Sequence, residues 1–100
     1  MALIFDKWGN SKKEVVVQEK EIGTITHYYG RLSVGIVELR DSLKIGDTIH
    51  IKGHTDDFTE TVESMQIEHV DVTEAKAGDS IGINVTQKVH PHDKVYKVIA

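Results

Sequence analysis

The chain is 100 residues long, carries 12 Lys and Arg against 16 Asp and Glu for a net charge of -4, and has no cysteine. That length holds one domain with one core. The acidic balance disfavours non-specific nucleic-acid binding by the whole surface, and the missing thiols exclude disulfides, thiolate metal sites and cysteine nucleophiles. No apolar run approaches the ~20 residues of a membrane span. The opening MALIFDKWGN lacks the basic and apolar blocks of a secretory signal, so a cytoplasmic protein without a membrane partner is expected.

Residues 1–21 read as an N-terminal extension. Ser11-Lys12-Lys13-Glu14 has capping-box spacing, whereas Val15-Val16-Val17 favours a strand. The expectation is a hairpin of Leu3–Trp8 and Glu14–Glu19 about Gly9-Asn10. Residues 22–100 read as one β-domain, because short runs rich in Val, Ile and Thr alternate with glycines. The predicted strands are Ile22–Tyr29, Leu32–Leu39, Thr48–Lys52, Phe58–Ile67, Ser80–Thr86 and Lys94–Ile99. Gly30-Arg31 links the first two as a hairpin. Val62 differs in parity from Met65 and Ile67, which predicts a bulge near Glu63-Ser64. Residues 39–47 and 70–79 are connections that each end in Gly-Asp, the second holding a helical turn capped by Thr73. The fold class expected is all-β, a small closed antiparallel barrel of six to seven strands, since closure leaves no exposed sheet edge.

The stretch SLKIGDTIHIKG (Ser42–Gly53), with Val62-Glu63-Ser64-Met65 and Ala75-Lys76-Ala77-Gly78-Asp79-Ser80-Ile81-Gly82, resembles the second domain of translational GTPases such as elongation factor Tu and bacterial initiation factor two. The resemblance extends over about residues 22–99. It implies a β-barrel that docks to RNA (tRNA or ribosome) or to a translation-associated protein. A similar small barrel also resembles the C-terminal accessory domain of some collagenase-like peptidases. Three departures stand out. Gly30–Gly35 has the glycine spacing of a phosphate loop, but Ile36-Val37 replace the required Lys and Ser/Thr, so no nucleotide and no GTP hydrolysis is expected. His92-Asp93 stands where the family has Gly-Asp before the last strand, which predicts a different turn there. The family's glycine after the second strand is also missing, because Val37-Glu38-Leu39-Arg40 runs on.

The densest functional-looking cluster is His27-Tyr28-Tyr29-Gly30-Arg31, where rings beside a guanidinium could stack on bases and neutralise phosphate. The competing reading is a hairpin end with one tyrosine packed inward. Candidate binding residues are His27, Tyr28, Tyr29 and Arg31, with Lys44, Lys52 and His54 as neighbours. His90-Pro91-His92-Asp93 offers three donors in four residues but no helical His-x-x-x-His spacing, so no metal and no cofactor is expected. Asp56-Asp57 reads as turn chemistry after Gly53. Glu60, Glu63 and Glu68 read as a solvated face, and no serine has nucleophile-elbow context. The reading is therefore a non-enzymatic binding module. Its alternative is a structural or homo-oligomeric accessory barrel, for example the partner domain of a peptidase-like enzyme, without affinity for nucleic acid.

Overall fold

The computed structural model of the chain describes residues 3–5, 11–13 and 18–99. Strands β1 (Leu3–Phe5) and β2 (Ser11–Lys13) pair antiparallel, with Leu3 opposite Lys13 and Phe5 opposite Ser11. The remainder of the expected N-terminal hairpin, residues 6–10 and 14–17, lies outside the described residues. Then follow β3 (Glu19–Tyr29), β4 (Val34–Leu39), β5 (Leu43–Lys44), β6 (Thr48–Lys52), β7 (Asp57–Thr61), β8 (Met65–Ile67), β9 (Val70–Val72), β10 (Glu74–Ala75), β11 (Ser80–Asn84) and β12 (Lys94–Val98).

Eight of these strands form one antiparallel sheet in the order β7-β6-β12-β3-β4-β11-β8-β9, and β5 pairs separately with β10. Among the described residues there is no helix, so the turn at Thr73 is a bend leading into β10. The expected six- to seven-stranded closed barrel is corrected to an open sheet whose edges are β7 and β9. The physical reason lies at residues 62–64, where the predicted fourth strand breaks into β7 and β8. Val62 exchanges its backbone bonds there with the corner at Gly46 and Asp47 (Gly46 N–H to Val62 C=O, 2.9 Å; Val62 N–H to Asp47 C=O, 2.9 Å). These bonds carry the β6–β7 pairing on to Val62, after which the chain leaves the ladder at Glu63 and Ser64 before β8.

The break also accomplishes the parity change read from the sequence. Val62 and Met65 are both buried, three positions apart, which an uninterrupted strand would forbid. Bulges do the same work elsewhere. Register shifts between Ile25 and His27, so Ile25 points to the core and Tyr28 also packs against it. A second shift falls between Val95 and Tyr96. The core gathers Ile22, Ile25, Val37, Leu39, Ile49, Ile51, Ile81, Ile83 and Val95 from the inward face, with Leu43 and Ala75 from the β5–β10 ribbon.

Three corners turn the chain into the sheet with the same two bonds. Lys44 N–H donates to Asp47 Oδ2 (3.0 Å) and Asp47 N–H to Lys44 C=O (3.1 Å). Lys76 and Asp79 repeat this at 2.9 and 3.0 Å, and His90 and Asp93 at 2.9 and 3.1 Å. The residue before each aspartate has positive φ: Gly46 at 94°, Gly78 at 93° and His92 at 77°. The expectation of a different turn at His92-Asp93 is therefore corrected. The aspartate's side-chain bond dictates the corner, and histidine accepts the left-handed conformation at a cost on the order of 1 kcal/mol.

Candidate functional site

Strand β4 reads Val34-Gly35-Ile36-Val37-Glu38-Leu39 and is apolar on both faces over its first half. Gly35, Val37 and Leu39 face the core, while Val34 and Ile36 are only half-buried on the outer face. There they floor a groove of about 580 Å³ together with Gly82 of β11. His27 and Tyr29, on the outer side of β3, form one wall, with rings stacked 6.3 Å apart at 8° between planes. Leu32, from the β3–β4 turn, and the Glu68-His69 turn between β8 and β9 complete the rim. Leu32 is 70% exposed and Tyr29 51%, so the groove carries large apolar side chains on show, the signature of a surface that meets something.

Local strain gathers at this rim. Glu68 and His69 hold φ of 51° and 66°, and Ser33 holds 53°. The two-residue Glu68-His69 loop has the positive-φ pair that Asn-Gly ordinarily supplies, at a cost on the order of 1 kcal/mol per residue. Strain that the surrounding structure maintains tends to sit at ligand clamps and recognition loops.

The sequence-predicted residues are only partly brought together. His27 and Tyr29 line the groove. Tyr28 turns inward and packs against the core, as the competing reading of that cluster had it. Arg31 is exposed in the β3–β4 turn. Lys44 lies on the β5–β10 ribbon, Lys52 ends β6, and His54 follows in the β6–β7 turn; none of these four is among the groove-lining residues. Leu32, Val34 and Ile36 were not singled out from sequence. Their signal was a strand apolar at consecutive positions, which needs cover on both sides. The Gly30–Gly35 stretch with phosphate-loop spacing forms the β3–β4 turn and the start of β4.

A second constellation lies where the β6–β7 turn meets the loop before β12. His90 Nδ1 stands 2.7 Å from Asp56 Oδ2, and the Asp93 carboxyl completes the group; the three donor atoms lie within 4.8 Å of one another. Asp93 is 3% exposed. A Cβ at residue 53 would sit 1.8 Å from Asp93 Oδ1, so only glycine leaves room for that carboxylate. Hydrogen bonding with Asp93, then with His90, holds the Asp56 carboxyl below its ordinary pKa despite some burial. Burial, then the facing Asp56, pushes Asp93 up. The sequence pointed to His90, His92 and Asp93; the structure exchanges His92 for Asp56, 34 positions away from His90 along the chain.

On the outer face of β6, His50 bridges two carboxylates. Its Nδ1 lies 2.6 Å from Glu19 Oε2 and its Nε2 contacts Asp57 Oδ1. Only an imidazolium donates through both nitrogens. Burial opposes that charge, but the bonds to Asp57 and Glu19 outweigh it and raise the His50 pKa above the ordinary 6.5. The arrangement ties β3, β6 and β7 together and exposes no reacting atom.

No family model matches the chain. An uncharacterized protease of Methanocaldococcus jannaschii is 43% identical over 89 residues, 88% of this chain but 21% of that protein. A collagenase of Porphyromonas gingivalis is 37% identical over 82 residues, 80% of this chain and 23% of the collagenase. The C-terminal domain of a candidate U32 peptidase of Geobacillus thermoleovorans superposes with a TM-score of 0.73 at 18% identity, covering 76% of this chain and 96% of that domain. At that identity the likeness is one of fold. The chain spans about a fifth of the length of the curated relatives it matches.

These findings overturn the expected kinship with the second domain of translation factors, and the RNA-binding role that rested on it. Relatives and fold neighbours are peptidase-type proteins. The misleading residues were the Lys-x-Gly-Asp corners. They specify a backbone turn, which any sheet of this build can use, rather than a partner. The second resemblance, to accessory domains of collagenase-like peptidases, fits the findings. Among the described residues no helix is long and apolar enough to cross a membrane.

Proposed function

We propose that the chain is a non-catalytic accessory domain that docks through its outer groove onto the catalytic part of a peptidase-like protein. The observation that carries this reading is the 43% identity over nearly the whole chain to only a fifth of a protease. In that relative, four-fifths of the polypeptide stands beside the matching stretch, and an accessory domain must present it a surface. The groove floored by Val34 and Ile36 and rimmed by Tyr29 and Leu32 has the exposed apolar character for that contact. Its mechanism is presentation from a rigid sheet, without making or breaking bonds. The absence of cysteine and of nucleophile-elbow serines in the sequence supports a non-catalytic role.

The test uses the M. jannaschii protease produced without its own matching stretch. The chain is expected to co-elute with it in size-exclusion chromatography, and by itself to release nothing from labelled gelatin. Hydrolysis by the purified chain would overturn the non-catalytic reading, and separate elution would overturn the docking.

A further inference from the structure

We infer that Asp56, His90 and Asp93 form a binding site for one divalent transition-metal ion, Mn²⁺ or Zn²⁺ in type. The donors are two carboxylates and one imidazole, a mixed hard and borderline set suited to those ions. They come from two separate loops, and their ligating atoms lie within 4.8 Å of one another. Donors held about 2.0–2.2 Å from a shared ion stand roughly 3 to 4.4 Å apart; here His90 and Asp56 are 2.7 Å apart and all three lie within 4.8 Å, so a side-chain adjustment sets them around one ion.

Asp93 supplies an independent reason to place a cation there. It is 97% buried by the complement of its 3% exposure, yet its carboxyl faces that of Asp56. Its Oδ2 accepts a hydrogen bond from the His90 N–H, and its Oδ1 lies against residue 53, where glycine makes the space. A buried carboxyl set against a second carboxylate either shares a proton with it or takes a cation between them, and ligation of one ion by both carboxylates would replace that proton. The other two corners show what the turn alone requires. Asp47 and Asp79 make the same pair of bonds but, among the described residues, belong to no such group of three. The half-exposed His90 ring opens the group to solvent, giving an ion its entry path and room for water ligands.

The inference stands apart from the docking surface, since none of its three residues lines the groove. Mn²⁺ titrated into the purified chain and followed by the electron paramagnetic resonance of the free ion is expected to saturate at one equivalent. Asp56→Asn and His90→Gln should each weaken that binding at least ~10-fold. His69→Gln, which removes a histidine from the β8–β9 turn outside the three-residue group, should leave it unchanged. Circular dichroism of each variant checks folding, and His90→Gln, at a half-exposed position, keeps the test valid if Asp56→Asn does not fold. No saturable binding by the wild type, or equal binding by wild type and His90→Gln, would overturn the inference.

Discussion

The corners at Asp47 and Asp79 and the corner at Asp93 share their backbone bonds but differ in what surrounds them. At the first two, a glycine takes the left-handed position, nothing lies within 4 Å of where its Cβ would be, and the aspartate is occupied with the turn. At the third, a histidine takes the strained position, the aspartate is buried, and a glycine in another loop makes way for its carboxylate. The first two corners are optimised for folding. The third carries strain and buried charge that the turn does not need, and such departures from local rules concentrate at functional sites.

Substitutions can break that comparison, and the largest effect is expected at Gly53. Gly53→Ala places a methyl 1.8 Å from Asp93 Oδ1 and 2.5 Å from its Cγ, which displaces the whole third corner. A loss of about 3 kcal/mol in urea-unfolding stability is predicted, and a loss below about 1 kcal/mol would show that the carboxylate is free to move. Gly78→Ala meets no atom and suffers only its φ of 93°, so about 1–2 kcal/mol is expected. His92→Gly should stabilise by about 0.5–1 kcal/mol, because it relieves the left-handed histidine at 77°. A destabilised His92→Gly would mean that the imidazole makes a contact outweighing its strain.

A smaller, pH-dependent effect belongs to His50. Its pKa is raised in the fold by Asp57 and Glu19 against the opposing effect of burial, with Tyr96 tilted beside it at 6.1 Å. The stabilisation is complete below the ordinary 6.5 and is lost as pH rises through the higher folded value. Melting temperatures at about pH 6 and about pH 9 should therefore fall more in wild type than in His50→Gln. Parallel falls would show that the bridge contributes nothing. The smallest effect on stability is expected for Leu32→Asp: at 70% exposure it should cost less than about 0.5 kcal/mol.

Much of the fold was legible in the sequence. The strand Thr48–Lys52 coincides with β6, and Ile49 and Ile51 are buried as their alternation requires. The phase change around residues 62–65 was also visible, although a break rather than a bulge performs it. The β5–β10 ribbon was not legible, because two-residue strands have no periodicity and are defined only by a partner 32 positions away, as Ala75 is from Leu43. The open edges escaped for the same reason, since closure depends on long-range pairing. In the groove, His27 and Tyr29 announced themselves by composition. Val34 and Ile36 did not, because a strand apolar on both faces looks like any buried strand. Asp56 was hidden most deeply. Nothing local to Gly53–Asp57 says that a buried carboxylate from residue 93 will fill the space above the glycine.

The docking account is tested most directly by isothermal titration of wild-type and Leu32→Asp chains into the M. jannaschii protease that lacks its matching stretch. The account predicts saturable heat for the wild type and none for Leu32→Asp while both chains melt alike. Equal heats from the two, or no heat from the wild type, would contradict it.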